Sequence, residues 1–116
     1  MRWLFILTQG PQSAHLKTAL SLMRAALDAK ERIDAVYLTG EAASLASGHY
    51  VLGSPEMQLE EKLYRLSVEG EFPILACGRA VRALGIPVDH LSKGMILSGY
   101  ADLARALEEC DEVVEL

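Results

Sequence analysis

The pattern of apolar and polar residues divides the first third of the chain into two strands and a helix. Residues 3–8, WLFILT, form a continuous apolar run with the length and composition of a strand buried on both faces. In residues 14–29 the apolar positions repeat at intervals of three and four, which predicts an amphipathic helix with Ser13 as its N-cap. Residues 33–38, IDAVYL, predict a second buried strand.

The rest of the chain continues this alternation. Residues 41–54 are less regular, and we expect a turn of helix followed by a loop. Residues 55–70 predict a helix that has Ser54 as its N-cap, begins at Pro55 and is terminated by Gly70. Strands are predicted over residues 73–76, 95–97 and 112–116, and helices over residues 79–84 and 101–109.

Strands that alternate with helices predict an α/β fold with a parallel sheet covered by helices on both faces. The chain has 116 residues and no linker or repeat, so we expect one domain over residues 1–116. In open parallel sheets, ligands and catalytic groups gather at the carboxyl ends of the strands. The segments that fall there are Thr8-Gln9-Gly10, Thr39-Gly40-Glu41, Ala76-Cys77-Gly78 and Ser98-Gly99-Tyr100.

Charge and hydropathy exclude some classes of protein. The formal net charge is −5, which disfavours direct contact with nucleic acid, because a phosphate backbone is bound by basic surfaces. No apolar run approaches the roughly 18 to 20 residues of a membrane span. The apolar run at the start lacks the longer apolar region and the cleavage site of a signal peptide. We therefore expect a cytoplasmic protein that is not bound to membranes.

Cys77 is the candidate of greatest chemical interest, because it is predicted to lie between a strand and a helix. The first N–H groups of a helix lack partners and stabilise a thiolate, which is the nucleophilic form of cysteine. Arg79 and Arg82 are expected to add positive potential, and Gly78 leaves room beside the sulfur. The alternative is that Cys77 is a small buried hydrophobe, as free cysteines often are. The residues themselves leave both interpretations open.

The second cysteine, Cys110, lies in the acidic segment EECDEVV, where negative charge would raise its pKa. We interpret it as structural or as a bystander. A weaker hypothesis makes it the resolving cysteine of a peroxide-reducing or disulfide-exchange enzyme. The chain has no C-x-x-C motif, and its three histidines are scattered, so no metal site is predicted.

Four segments resemble the DsrE/TusD-type sulfur relay proteins of bacteria. They are LFILTQGP at the first strand, AVYLTGEAASLASG after the second, ACGRAVRALGI around Cys77, and GMILSGYADLARALEECDEVVEL at the end of the chain. No single segment is diagnostic, but the ordered set covers nearly the whole chain. The segment between residues 41 and 72 is shorter than in the relay members that serve tRNA thiolation.

The resemblance implies a three-layer α/β/α fold with a five-stranded parallel sheet. It also implies a sulfurtransferase function, in which Cys77 accepts sulfane sulfur as a persulfide and passes it to a partner's cysteine, in sulfur oxidation or tRNA thiolation. The implied partners are sulfur donor and acceptor proteins, and the implied assembly is a homotrimer, a homohexamer or a heterohexamer with sister subunits. No cofactor is implied besides the covalent persulfide.

We predict that a pocket for the substrate or partner surrounds Cys77. Its predicted members are Thr8, Gln9, Gly10, Gly40, Glu41, His49, Tyr50, Gly78, Arg79, Ser98 and Gly99. The alternative hypothesis is a non-catalytic structural subunit or small-ligand binding module on the same fold, in which Cys77 is inert.

Overall fold

Five parallel strands form one sheet in the computed structural model, which describes residues 1–48 and 53–116. The strands are β1 (Arg2–Leu7), β2 (Arg32–Leu38), β3 (Ile74–Cys77), β4 (Met95–Ser98) and β5 (Glu112–Glu115). The helices are α1 (Ala14–Asp28), α2 (Pro55–Gly70), α3 (Gly78–Ala83) and α4 (Tyr100–Glu109), with a 3₁₀ helix over Gly40–Ser47. The predicted α/β fold with a five-stranded parallel sheet is confirmed.

The strand order is β4-β3-β2-β1-β5. The chain therefore moves across the sheet in one direction from β1 to β4, and then returns through α4 to place β5 beside β1. Because parallel crossovers are right-handed, the helices of the first three connections lie on one face and α4 lies on the other. The main core is formed on the first face, where apolar residues of α1, the 3₁₀ helix, α2 and α3 pack on the sheet.

The helix boundaries follow local signals in the sequence. The Ser13 hydroxyl accepts a hydrogen bond from the His15 amide at 3.1 Å, and the Ser54 hydroxyl accepts one from the Met57 amide at 3.3 Å, so both predicted N-caps are confirmed. The helix α2 does end at Gly70, but the left-handed residue beyond it is Glu71. Gly70 serves packing instead, since a Cβ there would lie 2.9 Å from the side chain of Leu27.

A β-bulge near the start of β2 decides which side chains face α4. Trp3 pairs with Ile33 and Leu4 pairs with Ala35, so Asp34 is the additional residue. The Nε atoms of Arg2 and Arg32 lie 3.1 and 3.0 Å from Oδ1 of this carboxylate. The bulge shifts the alternation of the strand by one residue.

As a result of this shift, Ile33, Val36 and Leu38 all belong to the main core. Tyr37 is buried on the opposite face, with 1% of its surface exposed, and it lies near residues of α4.

The α4 face of the sheet is only partly covered. None of the ten residues of α4 is buried. Ile96 on β4 and Tyr100 on α4 expose 54% and 63% of their surface, and Leu107 and Val113 expose 44% and 43%. We call these four residues the apolar patch. No helix within residues 1–48 and 53–116 is long and apolar enough to cross a membrane.

Candidate active site around Cys77

Cys77 ends β3 and is also the N-cap of α3, so the backbone turns from strand to helix at the thiol. Its partner on the neighbouring strand β4 is Ser98. On β2, Leu38 pairs with Ala76, which places the next residue, Thr39, beside Cys77. Side chains alternate between the faces of a sheet, so Thr39, Cys77 and Ser98 form a row on the α4 face.

The surroundings of the thiol favour its ionised form. Burial raises the pKa of Cys77, but the Ala80 amide, the hydroxyls of Tyr37 and Thr39, and the Arg79 amide outweigh this effect and hold the pKa below its ordinary value. The N-terminus of α3 therefore lowers the pKa of the thiol, as predicted, through the backbone amides of Ala80 and Arg79. The helix α3 has only six residues, so its dipole is small.

Tyr37 stands out among the groups near the thiol. Its hydroxyl is buried and forms no hydrogen bond of normal length and angle with any residue that the structure describes. It is nevertheless close enough to Cys77 for each group to change the pKa of the other. Burial is the largest of the effects that raise the pKa of Tyr37, so the hydroxyl keeps its proton at neutral pH.

On the other side of Cys77, a hydrogen-bonded turn joins β4 to α4. The Ser98 hydroxyl donates to Oδ2 of Asp102 at 2.8 Å, and the Gly99 amide donates to the same oxygen at 3.3 Å. These hydrogen bonds lower the pKa of Asp102, with the Ser98 hydroxyl as the largest cause. Because the Ser98 proton is directed to Asp102, it is not directed to the thiol.

The two arginines of α3 are both exposed. Arg79 acts on the thiol through its backbone amide. The guanidinium of Arg82 passes beside Gly78, since a Cβ on that glycine would lie 3.1 Å from Nη1 of Arg82. Gly78 itself is buried, like Cys77, at the carboxyl edge of the sheet.

The remaining predicted pocket residues lie at the ends of β1 and β2. A Cβ on Gly40, which has φ of +55°, would lie 3.2 Å from the carbonyl oxygen of Thr8. A Cβ on Gly10 would lie 3.5 Å from Oε2 of Glu41, so these two loops touch. Gln9 is exposed on the same loop.

Thr8, Gln9 and Gly10 follow β1, so β2 lies between them and Cys77, whereas Gly40 and Glu41 follow β2, the strand next to β3. The Thr8 hydroxyl donates to the carbonyl oxygen of Leu116 at 3.2 Å, which directs it toward β5 and not toward the thiol. His49 and Tyr50 lie outside the described residues. The pocket as a whole remains a prediction, and the structure brings Cys77 together with Gly78, the Arg79 amide, Ser98 and Gly99.

Cys110 lies far from this site. It precedes β5 at the amino edge of the sheet, near Arg2, whereas Cys77 lies at the carboxyl edge. The separation along the strands is roughly 20 Å, from about six residues at ~3.3 Å each. A disulfide between them within one chain is therefore excluded, so Cys110 does not resolve Cys77 of the same chain. Burial and then the charge of Asp34 raise the pKa of Cys110.

Sequence reasoning overlooked two hydroxyls and a carboxylate at this site. Tyr37 was not distinguishable from other apolar strand residues, because the bulge that turns it toward Cys77 has no clear signal in the sequence. Thr39 lay within a segment assigned to the sheet edge but was not selected. The signal for Asp102 was its position three residues after Gly99, which is typical of helix N-terminal capping.

A cavity elsewhere in the described part of the chain is separate from the Cys77 site. A cavity of about 620 Å³ lies between α1 and α2, and every residue that lines it belongs to those two helices. It is therefore distinct from the Cys77 site on the α4 face. Within the described part of the chain, no group of three His, Cys, Asp or Glu side chains is arranged to hold a metal ion.

The fold and the site together define a small α/β protein with a buried thiol of lowered pKa at the carboxyl edge of a parallel sheet. The model of the DsrE/DsrF-like family matches residues 1–116, and the chain belongs to that family. No curated protein sequence matches it.

Two solved structures show the same fold at low sequence identity. The ychN protein from E. coli has a TM-score of 0.73 and 18% identity, with all of both chains covered. MTH1491, a protein of unknown function from Methanobacterium thermoautotrophicum, has a TM-score of 0.77 and 17% identity, with 99% of this chain and 98% of that chain covered.

Proposed function

We propose that this protein is a sulfur carrier that accepts sulfane sulfur on Cys77 as a persulfide and passes it to the cysteine of a partner protein. The observation that carries the proposal is the Cys77 thiol, whose pKa is held below its ordinary value by surrounding hydroxyls and amides that outweigh its burial. Membership of the DsrE/DsrF-like family supports a role in sulfur relay. We place the function in the cytoplasm, in sulfur oxidation or tRNA thiolation.

The proposed transfer needs no metal and no organic cofactor. In loading, the Cys77 thiolate attacks the terminal sulfur of a donor persulfide, a new S–S bond forms, and the donor's S–S bond breaks to release the donor as a thiolate. In delivery, a partner's thiolate attacks the terminal sulfur and Cys77 leaves as a thiolate. A lowered pKa favours both steps, since the fraction of Cys77 in the thiolate form is larger and a more acidic thiol is a better leaving group.

The burial of Cys77 is the observation that favours the alternative function. Only 4% of its surface is exposed, so a partner's sulfur has to displace a covering side chain before it reaches the thiol. In a non-catalytic structural subunit or small-ligand binding module, the same burial would make Cys77 an inert core residue. The two functions differ in the reactivity of this thiol, which can be measured directly.

Proteins of this family generally act with partner subunits. We propose that this chain forms a homo-oligomer, a trimer or hexamer, or a heterohexamer with sister subunits. The apolar patch supports an interface on the α4 face, because two large apolar side chains of α4 and one on each edge strand are left exposed on that face. The sulfur donor and acceptor proteins are further partners. The net charge of −5 argues against direct contact with RNA.

Intact-mass spectrometry tests the carrier function. The wild type, Cys77→Ala and Cys110→Ala proteins are treated with a cysteine desulfurase and cysteine, which together generate a protein-bound persulfide. We expect a gain of one or more sulfur atoms that reductant removes, absent in Cys77→Ala and retained in Cys110→Ala. An unmodified wild type, together with slow alkylation of Cys77, would support the non-catalytic alternative.

A further inference from the structure

We infer that Tyr37 is a binding residue for the transferred sulfur, and that its hydroxyl donates a hydrogen bond to the terminal sulfur of the Cys77 persulfide. This inference rests on the proposed function and names the group on this chain that would recognise the cargo.

The sheet register places Tyr37 diagonally from Cys77 on the neighbouring strand. Tyr37 pairs with Leu75, which precedes Cys77 by two residues, so the two side chains leave the same face of the sheet. Strands lie about 4.8 Å apart and two residues span about 6.6 Å along a strand, so the Cα atoms of Tyr37 and Cys77 are roughly 8 Å apart, within reach of an aromatic side chain. The bulge at Asp34 sets this arrangement, because without the additional residue Tyr37 would face the main core.

The Tyr37 hydroxyl forms no hydrogen bond of normal length and angle within the described residues, although it lies close enough to Cys77 to lower the pKa of the thiol. The residue is 1% exposed, and its hydroxyl has no hydrogen-bond partner among the residues that the structure describes. Buried hydroxyls are nearly always hydrogen-bonded, because leaving one unpaired costs free energy. An acceptor that extends beyond the Cys77 sulfur would give this hydroxyl the well-formed hydrogen bond that the unloaded thiol does not.

A persulfide supplies that acceptor. Its terminal sulfur lies one S–S bond, about 2 Å, beyond the Cys77 sulfur. The terminal sulfur of a persulfide is more acidic than a thiol and is largely anionic at neutral pH. A hydrogen bond to an ionised acceptor is stronger than one between neutral groups, so Tyr37 would stabilise the loaded state more than the empty one.

The other hydroxyls around Cys77 are less suited to this role. The Ser98 hydroxyl donates to Asp102 at 2.8 Å. Thr39 lowers the pKa of the thiol, but it follows β2 at the sheet edge and is partly exposed to solvent, where water competes for its hydroxyl. Tyr37 alone among these three combines near-complete burial with an unpaired hydroxyl.

The test compares persulfide stability in the wild type and Tyr37→Phe, which removes one buried oxygen atom and keeps the ring. Tyr64→Phe is the matched control, since Tyr64 lies on α2 beside Lys93 and Gly94, away from the thiol. Each full-length protein is loaded with inorganic polysulfide and desalted. Transfer of the terminal sulfur to a fixed excess of a small thiol, which releases Cys77 as a thiolate, is then followed by intact mass, and persulfide alkylation is measured as a function of pH.

We expect Tyr37→Phe to lose its terminal sulfur about tenfold faster than the wild type, and the midpoint of persulfide alkylation to rise by about one pH unit. Tyr64→Phe should match the wild type. The persulfide midpoint should shift more than the thiol midpoint, a difference that a merely structural role of Tyr37 would not produce. In the wild type, loading should also change the tyrosine absorption, and that change should be missing in Tyr37→Phe.

Equal persulfide lifetimes and equal pH midpoints in the wild type and Tyr37→Phe would overturn the role of Tyr37 and leave the carrier function standing. A wild type that does not take up sulfur at Cys77 would overturn the carrier function itself, and the role of Tyr37 with it. Circular dichroism of each variant shows whether the fold is retained. The tyrosine absorption of the wild type provides a readout that does not depend on the variant folding.

Discussion

Cys77 and Ser98 are partners in the register of β3 and β4, and the Ser98 hydroxyl donates to Asp102 at 2.8 Å. The side chain nearest the thiol on that strand is thus directed toward α4. The groups that lower the pKa of Cys77 instead come from β2 and from the backbone of α3. The side-chain hydroxyls that stabilise the thiolate are therefore those of Tyr37 and Thr39.

The lowered pKa of Cys77 predicts a specific pH dependence. The thiol should be alkylated by iodoacetamide with a midpoint below that of a free thiol, about 8.5. Cys110 should react with a midpoint above it, because burial and nearby carboxylates raise its pKa. Peptide mapping by mass spectrometry after timed alkylation at each pH separates the two sites.

The lowered pKa of Cys77 also determines how the free energy of unfolding changes with pH. Because the folded-state pKa of Cys77 lies below the unfolded-state pKa, its ionisation adds stability that is fully present above the unfolded-state pKa and is lost as the pH falls through the folded-state pKa. The free energy of unfolding of Cys77→Ser should lack this rise at alkaline pH. A midpoint for Cys77 at or above that of Cys110 would contradict the activated thiol.

Thr39→Val should raise the pKa of Cys77, because it removes a hydroxyl that stabilises the thiolate while keeping the shape of the side chain. We expect alkylation at neutral pH to slow by roughly three- to tenfold. Thr18→Val is the matched control, since the Thr18 hydroxyl donates only to the Ala14 carbonyl on α1. Equal slowing in both variants would assign the effect to the fold and not to the site.

Gly78→Ala should reduce the access of a protein donor to the Cys77 thiol and should have little effect on the free energy of unfolding. The added methyl would lie 3.1 Å from the flexible end of Arg82, which can move, so we expect the free energy of unfolding to change by less than about 1 kcal/mol. In the proposed transfer a protein-borne persulfide approaches the sheet edge beside Gly78, so we expect loading from a desulfurase to slow several-fold.

Loading of Gly78→Ala from small inorganic polysulfide should change little. Stopped reactions analysed by intact mass compare the two donors. Equal rates for the wild type and Gly78→Ala with the protein donor would show that the partner does not approach over Gly78.

Asp102→Asn should weaken the turn between β4 and α4, because the carboxylate accepts hydrogen bonds from both the Ser98 hydroxyl and the Gly99 amide. Its pKa is lowered in the folded state, so its contribution to stability is present above the unfolded-state pKa and is lost as the pH falls through the folded-state pKa. Thermal unfolding between pH 2 and pH 7 should show a shallower acid-side slope in this variant than in the exposed control Glu108→Gln. Identical slopes would show that the Asp102 carboxylate does not contribute to the stability of the fold.

The apolar patch predicts that charged substitutions reduce the size of the oligomer. Ile96→Glu and Leu107→Glu should lower the mass measured by size-exclusion chromatography with light scattering, since each places a charge among apolar side chains at the proposed interface. Val68→Glu is the matched control, because Val68 is 59% exposed on α2, which lies on the other face of the sheet. A wild type that is monomeric at micromolar concentration would contradict the interface.

The sequence determined the order of strands and helices, their N-caps and the place of Cys77 between β3 and α3. These features depend on residues near each other in the chain: runs of apolar residues, helical periodicity, and serines that cap the next turn. The position of the thiol at the carboxyl edge followed from the same reasoning, because parallel strands all end at one edge.

Only the tertiary structure decided which side chains surround the thiol. Tyr37 faces Cys77 because a bulge at Asp34 shifts the register of β2 by one residue, and that bulge depends on pairing with β1 and on contacts with Arg2. A shift of one residue moves every later side chain of a strand to the other face, which periodicity along a single chain cannot reveal. The local sequence therefore determines where the Cys77 thiol lies, and the pairing of β1 with β2 determines that the Tyr37 hydroxyl lies beside it.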